Sequence, residues 1–237
     1  MSSGSVSWES RARVIADPLS RRGLLIVSLP RNDIELARAA SNAGADLLKA
    51  HVNVRHRASG TKFGSLDEEE ERLAEILGLG LPTGLVPGED AMVTPDQIPR
   101  LRRFAFLDAY VTRLPLFLYD VGVPVIPAIP HDYPATALGS LIALPGEWLE
   151  ATLVPPDGYG RDPVADDLVA LAHLGAVTRR RLIVPTQRRL RPEDLARYFG
   201  ITQVWAVMIG AVVTGRTARG IGRATQAFRR ALDVLFT

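Results

Sequence analysis

The stretch Val204-Trp-Ala-Val-Met-Ile-Gly-Ala-Val-Val-Thr-Gly-Arg-Thr217 is followed by an amphipathic run from Gly220 to Leu235. It predicts a buried strand that ends at Gly210, a turn of small residues and then a helix. This arrangement leaves backbone N–H groups and a helix N-terminus facing one point, which attracts a phosphate group. The same pattern also fits a tight turn that binds nothing, so both interpretations stay open.

The composition indicates a globular protein that can bury a full core. The chain has 237 residues, of which 47% are hydrophobic, and a formal net charge of +2. No basic stripe with interleaved aromatic residues appears, so nucleic acid is not expected as a partner. The absence of cysteine excludes disulfides, thiolate catalysis and cysteine–zinc sites, and it fits a cytoplasmic location. No run is long enough for a membrane span, and residues 1–22 lack the apolar segment of a secretory signal.

Strand and helix patterns alternate eight times along the chain, and the segment Val204–Thr217 with the run after it is the last of these units. Each strand is a short apolar run, and several of the helices after them begin with a capping residue such as Asp33 or Thr94. The predicted strands cover residues 24–29, 46–54, 82–87, 106–113, 124–129, 147–154, 182–187 and 204–209. Eight such units in one chain predict an α/β fold, a single (β/α)₈ TIM barrel over residues 23–237 behind a short N-terminal extension, residues 1–22. The alternative fold is an open doubly wound sheet, but the glycine-rich motif that usually follows the first strand of that fold is missing here.

Reactive groups of such barrels lie at the carboxyl ends of the strands. The polar residues at these positions are Ser28, Lys49, His51, Asn53, Asp108, Tyr110, Thr112, Arg113, His131, Asp132, Glu150, Thr152, Thr186, Gln187 and Arg188. We expect Lys49, Asp108 and Glu150 to be catalytic, and His51, Asn53 and Thr152 to bind substrate. Because Lys49, His51 and Asn53 alternate along strand two, they are predicted to face the same side.

Lys49 has two interpretations. An amine among apolar walls has a lowered pKa and can act as a base or as a Schiff-base nucleophile. The alternative is a lysine paired with a barrel carboxylate or with a substrate phosphate. Asp108 and Glu150 are the carboxylates expected near the mouth, but a shift of one residue in the pleat reverses the side that they face.

The loops after strands seven and eight are where this fold commonly binds phosphate. They contain Thr186, Gln187, Arg188, Gly210 and Ala211, which we predict to bind the phosphate of a small phosphorylated molecule. His51, His131 and Asp132 are too few, at no recognisable spacing, to predict a metal site, and no cofactor is expected. The loop Arg55-His-Arg57 is interpreted as touching solvent or an anionic substrate.

Four segments resemble the N-acetylmannosamine-6-phosphate 2-epimerases of the ribulose-phosphate-binding barrel group. They are Gly23–Ser28, Ala43–Asp46 leading to Lys49, Ala151–Leu153 with Gly158-Tyr159, and Ala206–Thr214. The resemblance implies a cytoplasmic barrel that binds a phosphosugar through Gly210, Ala211 and the loop after strand seven. It places Lys49 where that family has a basic substrate-binding residue.

The chain departs from this family at its acid–base positions. The family's lysine at the end of strand three falls near Pro87, and its glutamate at the end of strand seven falls near Pro185 or Thr186. Its strand-four aspartate is replaced by Thr112, unless Asp108 takes its place. The sequence therefore leaves three hypotheses: an isomerase or epimerase acting on a phosphorylated substrate, a Schiff-base lyase or aldolase using Lys49, and a non-catalytic binding or assembly barrel. A homodimer is possible for any of them.

Overall fold

The computed structural model describes residues 18–237 and shows eight parallel strands that close into a barrel in sequence order. The strands are β1 (Leu24–Ser28), β2 (Leu47–His51), β3 (Thr83–Val86), β4 (Leu107–Tyr110), β5 (Val125–Pro130), β6 (Trp148–Thr152), β7 (Arg181–Pro185) and β8 (Val204–Ile209). The predicted TIM barrel is thus confirmed. Most of the predicted extension, residues 1–17, lies outside the described residues, and its separate status stays a prediction.

The helices on the outside of the barrel are of uneven length. They are α1 (Ile34–Asn42), α2 (Glu70–Leu77), α3 (Ile98–Leu101), α4 (Ala165–Thr178), α5 (Leu195–Phe199), α6 (Ala211–Thr214) and α7 (Ala218–Leu235). Asp33 caps α1 as predicted, because its carboxylate accepts hydrogen bonds from the N–H groups of Glu35 and Leu36. Within residues 18–237, no helix is both long enough and apolar enough to cross a membrane.

The helices predicted after strands four and five are 3₁₀ helices instead, over Leu116–Asp120 and Ala135–Ala143. Each follows directly after a proline, Pro115 or Pro134, whose carbonyl accepts an early i→i+3 hydrogen bond of the segment. The i→i+3 pattern also closes both segments, since the N–H groups of Val121 and Leu144 donate to the carbonyls of Leu118 and Leu141.

Apolar side chains fill the amino-terminal part of the barrel interior. This inner cluster consists of Leu24, Ile26, Leu47, Phe106, Ile126, Trp148, Ile183, Ala206 and Met208, with Leu19 beneath it. Gly84 of β3 leaves room for the Phe106 ring, because a Cβ at Gly84 would lie 2.2 Å from that ring. The packed plug forces any ligand to the opposite, carboxyl-terminal end of the barrel.

Candidate functional site

Three charged side chains meet inside the barrel, above the apolar plug. Lys49 Nζ donates hydrogen bonds to Asp108 Oδ2 at 3.0 Å and to Glu150 Oε2 at 2.7 Å. Their side chains are only 6%, 3% and 6% exposed, respectively. They belong to β2, β4 and β6, and alternate strands supply one layer of side chains in this fold. The structure therefore brings together the three residues that we expected to be catalytic, and their contacts establish that all three face inward.

The contacts within this charged triad shift the pKa values of Lys49 and Glu150. Burial alone would lower the pKa of Lys49, but the charges and hydrogen bonds of Asp108 and Glu150 raise it above the ordinary value. Burial and the neighbouring charge of Asp108 raise the pKa of Glu150 well above the ordinary value. This geometry favours the second interpretation of Lys49, a lysine paired with barrel carboxylates, over a lysine with a lowered pKa.

A cavity of about 100 Å³ opens directly above the charged triad. We call it the inner cavity. All three triad residues line it, and its other walls include His51 at the end of β2 and Tyr110 at the end of β4. The loop residues that border it are Val54, Arg55, His56, Arg57, Gly88 and Glu89. A small polar molecule in this space would contact the three charged groups directly.

His51 and Asn53 do not share the same surroundings. His51 is 2% exposed and lines the inner cavity. Asn53 lies beyond the end of β2 in a left-handed backbone conformation, with φ 55°, so the alternation of the strand stops before it. Its side-chain amide donates to the Pro87 carbonyl at 3.5 Å, and it is not among the residues that line the inner cavity. The predicted common side therefore holds for Lys49 and His51 only.

The loop between β2 and α2 folds into a hairpin over the mouth of the barrel. Backbone hydrogen bonds join Val54 to Phe63 and His56 to Thr61. Arg57, near the hairpin tip, lines the inner cavity and also two more open cavities beside it, of about 440 and 400 Å³. Arg57 is thus the side chain around which the mouth is arranged.

Most of the remaining residues predicted near the mouth line the 440 Å³ cavity. Thr112, Arg113, His131, Asp132 and Thr152 line it, together with Tyr110 and Glu89. The hydroxyl of Thr152 donates to the Ile129 carbonyl at 2.9 Å, which fixes the side chain between β5 and β6. Thr152 therefore borders the mouth without lining the inner cavity.

The residues predicted to bind phosphate are largely engaged with other protein groups. The Gly210 N–H donates to Thr186 Oγ1 at 3.0 Å. Gln187 accepts from the Val154 N–H at 3.1 Å and donates to the Tyr159 hydroxyl at 2.6 Å.

Arg188 makes a two-nitrogen ion pair with Asp167 and also donates to the Gly158 carbonyl. This guanidinium is turned away from the mouth, toward a cavity between the strands and the outer helices that it borders together with Asp167. Its predicted phosphate role has no support in this geometry, because Asp167 already satisfies its charge. Ala211, by contrast, begins α6 beside the mouth.

Two mouth residues were not predicted from the sequence, Glu89 and Arg189. Glu89 follows β3 and lines the inner cavity, and Arg189 lines the 400 Å³ cavity with Arg57 and Val212. Both lie in loops after strands, and that position was the only signal in the sequence that could have pointed to them. Among residues 18–237, no three His, Asp or Glu side chains cluster in a way that could hold a metal ion.

No family model matches the chain, and no significant match was found among curated proteins. Solved structures do resemble it. Phosphoribosyl anthranilate isomerase from Thermus thermophilus has 20% identity and a TM-score of 0.61, with 90% of this chain and 99% of that chain covered. The isomerase from Thermotoga maritima has 15% identity and a TM-score of 0.64, with 89% and 99% covered.

The tryptophan synthase A-subunit from Pyrococcus furiosus has 12% identity and a TM-score of 0.64, with 88% of this chain and 98% of that chain covered. All three matches extend over nearly the whole length of the partner structure, so the similarity concerns the entire barrel. At these identities the comparisons establish the TIM-barrel fold of the chain. They give no specific support to the narrower resemblance to the epimerases.

Proposed function

We propose that this protein is an isomerase- or epimerase-type enzyme that moves a proton beside a carbonyl group of a small phosphorylated sugar. The observation that carries the proposal is the charged triad, because it lies at the floor of the inner cavity, with a cation and two carboxylates at one point. Proton abstraction next to a carbonyl needs such a pair of functions, a base and a positive group for the developing oxyanion.

The three groups have different parts in this reaction. A carboxylate whose pKa is raised, as at Glu150, is a stronger base than an ordinary glutamate, so Glu150 takes the proton from carbon and returns it. The Lys49 ammonium stabilises the negative charge that develops on the substrate oxygen. Asp108 holds that ammonium in place and keeps it charged.

The same electrostatics argue against the two alternative hypotheses. A Schiff-base enzyme needs a neutral amine, whereas two buried carboxylates stabilise the charged form of Lys49. A non-catalytic barrel would be favoured if Lys49 and Glu150 pointed outward to the helices, and they contact each other inside.

The anionic group of the substrate is expected on the side of the mouth where Arg57 and Arg189 line the same 400 Å³ cavity. Neither arginine forms an ion pair with a carboxylate of residues 18–237. Ala211 lies at the neighbouring strand end and stays part of the proposed phosphate site, whereas the Gly210 N–H already donates to Thr186 Oγ1. The name of phosphoribosyl anthranilate isomerase states a phosphorylated sugar substrate and an isomerisation, which fits this proposal. Another similar structure contains monomers generated from the dimeric phosphoribosyl anthranilate isomerase of Thermotoga maritima, and a homodimer stays part of the proposal.

Hydrogen exchange with solvent tests the reaction directly. The protein is incubated in D₂O with a panel of ketose and aldose phosphates, and the signal of the hydrogen next to the carbonyl is followed by ¹H NMR. We expect loss of that signal for at least one compound, and loss of the activity in Glu150→Gln. The matched control is Glu147→Gln, an exposed glutamate just before the same strand, which should keep it. No exchange with any compound, or full exchange in Glu150→Gln, would contradict the proposal.

A further inference from the structure

His51 is a buried ring whose hydrogen-bonding capacity is unused. It is the last residue of β2, two positions after Lys49 on the same face, and it lines the inner cavity. Its Nδ1 atom is fully buried and has no hydrogen-bond partner among residues 18–237. Buried polar atoms are nearly always satisfied, so an exception at the wall of a cavity calls for an explanation.

The position of His51 is fixed from both sides of its backbone. The side chain of Asn32 accepts from the His51 N–H at 3.2 Å and donates to the His51 carbonyl at 2.7 Å. Asn32 is itself buried, and it donates a further hydrogen bond to Glu69 at 3.1 Å. The end of β2 is thus clamped by a side chain from the loop after β1.

The ring of His51 is held as firmly as its backbone. It packs against the rings of His56 and Phe63, with both centroid distances at 4.8 Å. His56 is turned toward Ser59, with its Nδ1 atom 2.8 Å from the Ser59 hydroxyl. The ring of His51 therefore has a fixed orientation and no hydrogen bond of its own, which leaves it available to a ligand in the inner cavity.

The unpaired Nδ1 atom indicates where the ring proton lies. A buried N–H without an acceptor is rarer in proteins than a buried lone pair without a donor. The ring therefore keeps its lone pair on Nδ1 and its proton on Nε2. Burial, with the nearby charges of His56 and Lys49, lowers the pKa of His51 well below the ordinary value, so the ring is neutral.

We propose that His51 is a catalytic hydrogen-bond donor, whose Nε2–H binds the carbonyl oxygen of the substrate beside Lys49. The inference rests on the proposed function and adds a second group at the developing oxyanion. Glu150 takes a proton from the carbon next to the carbonyl, the electron pair of that C–H bond moves into the C–C bond, and the C=O bond becomes C–O⁻. Lys49 and His51 hold the oxyanion, and no proton leaves His51. To complete the isomerisation, Glu150 returns its proton to the former carbonyl carbon, while the hydroxyl proton of the neighbouring carbon passes to the oxyanion and a new C=O bond forms at that neighbouring carbon. A neutral imidazole suits this task because it donates strongly without adding a second positive charge next to Lys49.

The tautomer is measured first, because this measurement needs no substrate. The chain has four histidines, so long-range ¹H–¹⁵N spectra resolve their rings, and His51→Gln assigns the signals. We expect a protonated Nε2 and an unprotonated Nδ1 for His51. A proton on Nδ1 would overturn the inference whatever the enzyme's activity.

The second measurement is the D₂O exchange assay with the compound that wild type accepts. His51→Phe keeps a ring but removes the donor, and we expect the exchange rate to fall by roughly 10²- to 10³-fold, mainly in kcat, as for other oxyanion donors. His51→Gln keeps an N–H donor and should retain more activity than His51→Phe. His173→Gln, an exposed histidine on α4, is the matched control and should leave the rate unchanged.

The outcomes separate the two proposals. If Glu150→Gln abolishes exchange while a folded His51→Phe keeps it within threefold, the role of His51 is wrong and the enzyme function stands. If wild type exchanges no compound of the panel, the function fails and the role of His51 fails with it. Circular dichroism and thermal unfolding confirm that the variants compared are folded, and His51→Leu, which also lacks a donor, replaces His51→Phe if the larger ring disturbs the stack.

Discussion

Replacing Lys49 by methionine removes one buried charge and keeps the length of the side chain. In the wild type its ammonium lies 3.0 Å from Asp108 and 2.7 Å from Glu150, and all three side chains are at most 6% exposed. Lys49→Met therefore leaves two carboxylates facing each other without a cation. Breaking a buried ion pair by removing one partner costs about 3–5 kcal/mol, and we expect a loss of this size in the free energy of unfolding.

Urea unfolding followed by tryptophan fluorescence measures this loss, since Trp148 and Trp205 lie at the barrel plug. Lys62→Met removes the chain's other lysine, which is exposed, and should change the stability by less than about 0.5 kcal/mol. The triple variant Lys49→Met, Asp108→Asn, Glu150→Gln has no buried charge and should recover most of the loss.

The pH dependence of Lys49→Met gives an independent check. Without the ammonium, the raised pKa of Glu150 rises further in the folded protein, so the folded protein binds more protons than the unfolded chain. The stability of this variant should therefore decrease as the pH rises from about 5 to 8, and more steeply than in wild type. A loss below about 1 kcal/mol, or a difference from wild type that does not change with pH, would refute the buried triad as described.

Two further predictions concern packing and acid stability. Gly84→Ala should destabilise the fold by about 1–3 kcal/mol or more in urea unfolding, because the new Cβ would lie 2.2–2.5 Å from atoms of the Phe106 ring. Its control is Gly222→Ala in the interior of α7, where the Cβ has ordinary contacts and should stabilise by about 0.5–1 kcal/mol; similar effects at both sites would contradict this account. Burial and the charge of Lys49 lower the pKa of His56 from 6.5 to about 4, so the unfolded chain binds this proton first as the pH falls. Stability should be complete above about pH 6.5 and fall by at most about 3 kcal/mol towards pH 4; a His56→Gln variant with the wild-type slope in this range would disprove it.

The barrel could be predicted because its signals are local. Each strand is a short apolar run, and each run is separated from the next by a segment with a helical pattern or a capping residue such as Asp33. Their number and order then leave few ways to close a sheet. The 3₁₀ character of Leu116–Asp120 and Ala135–Ala143 was missed, since apolar residues at helical spacing do not distinguish a 3₁₀ helix from an α-helix.

The site could be predicted only as far as strand positions determine it. Lys49, Asp108 and Glu150 were found because they are the charged residues of three strands, but their pairing depends on the pleat and the closure of the barrel. The engagement of Arg188 with Asp167 could not be seen, since the two are separated by 21 positions and meet only after α4 has packed. Arg57 and Glu89 are placed by loops, whose conformation has no periodicity to interpret.

Burying the charged triad costs desolvation free energy, and the packing of the barrel does not require these charges. Leu47, Phe106 and Trp148 stand two positions before Lys49, Asp108 and Glu150, respectively, within the same strands or just before them. These three apolar side chains help to fill the interior of the barrel. The same three strands could therefore support another apolar layer, and apolar replacements of buried ion groups are often as stable or more stable. Buried charges that packing does not need support the proposal that the triad serves chemistry in the cavity above it. The triad is thus better understood as a site that the apolar plug supports than as part of the core itself.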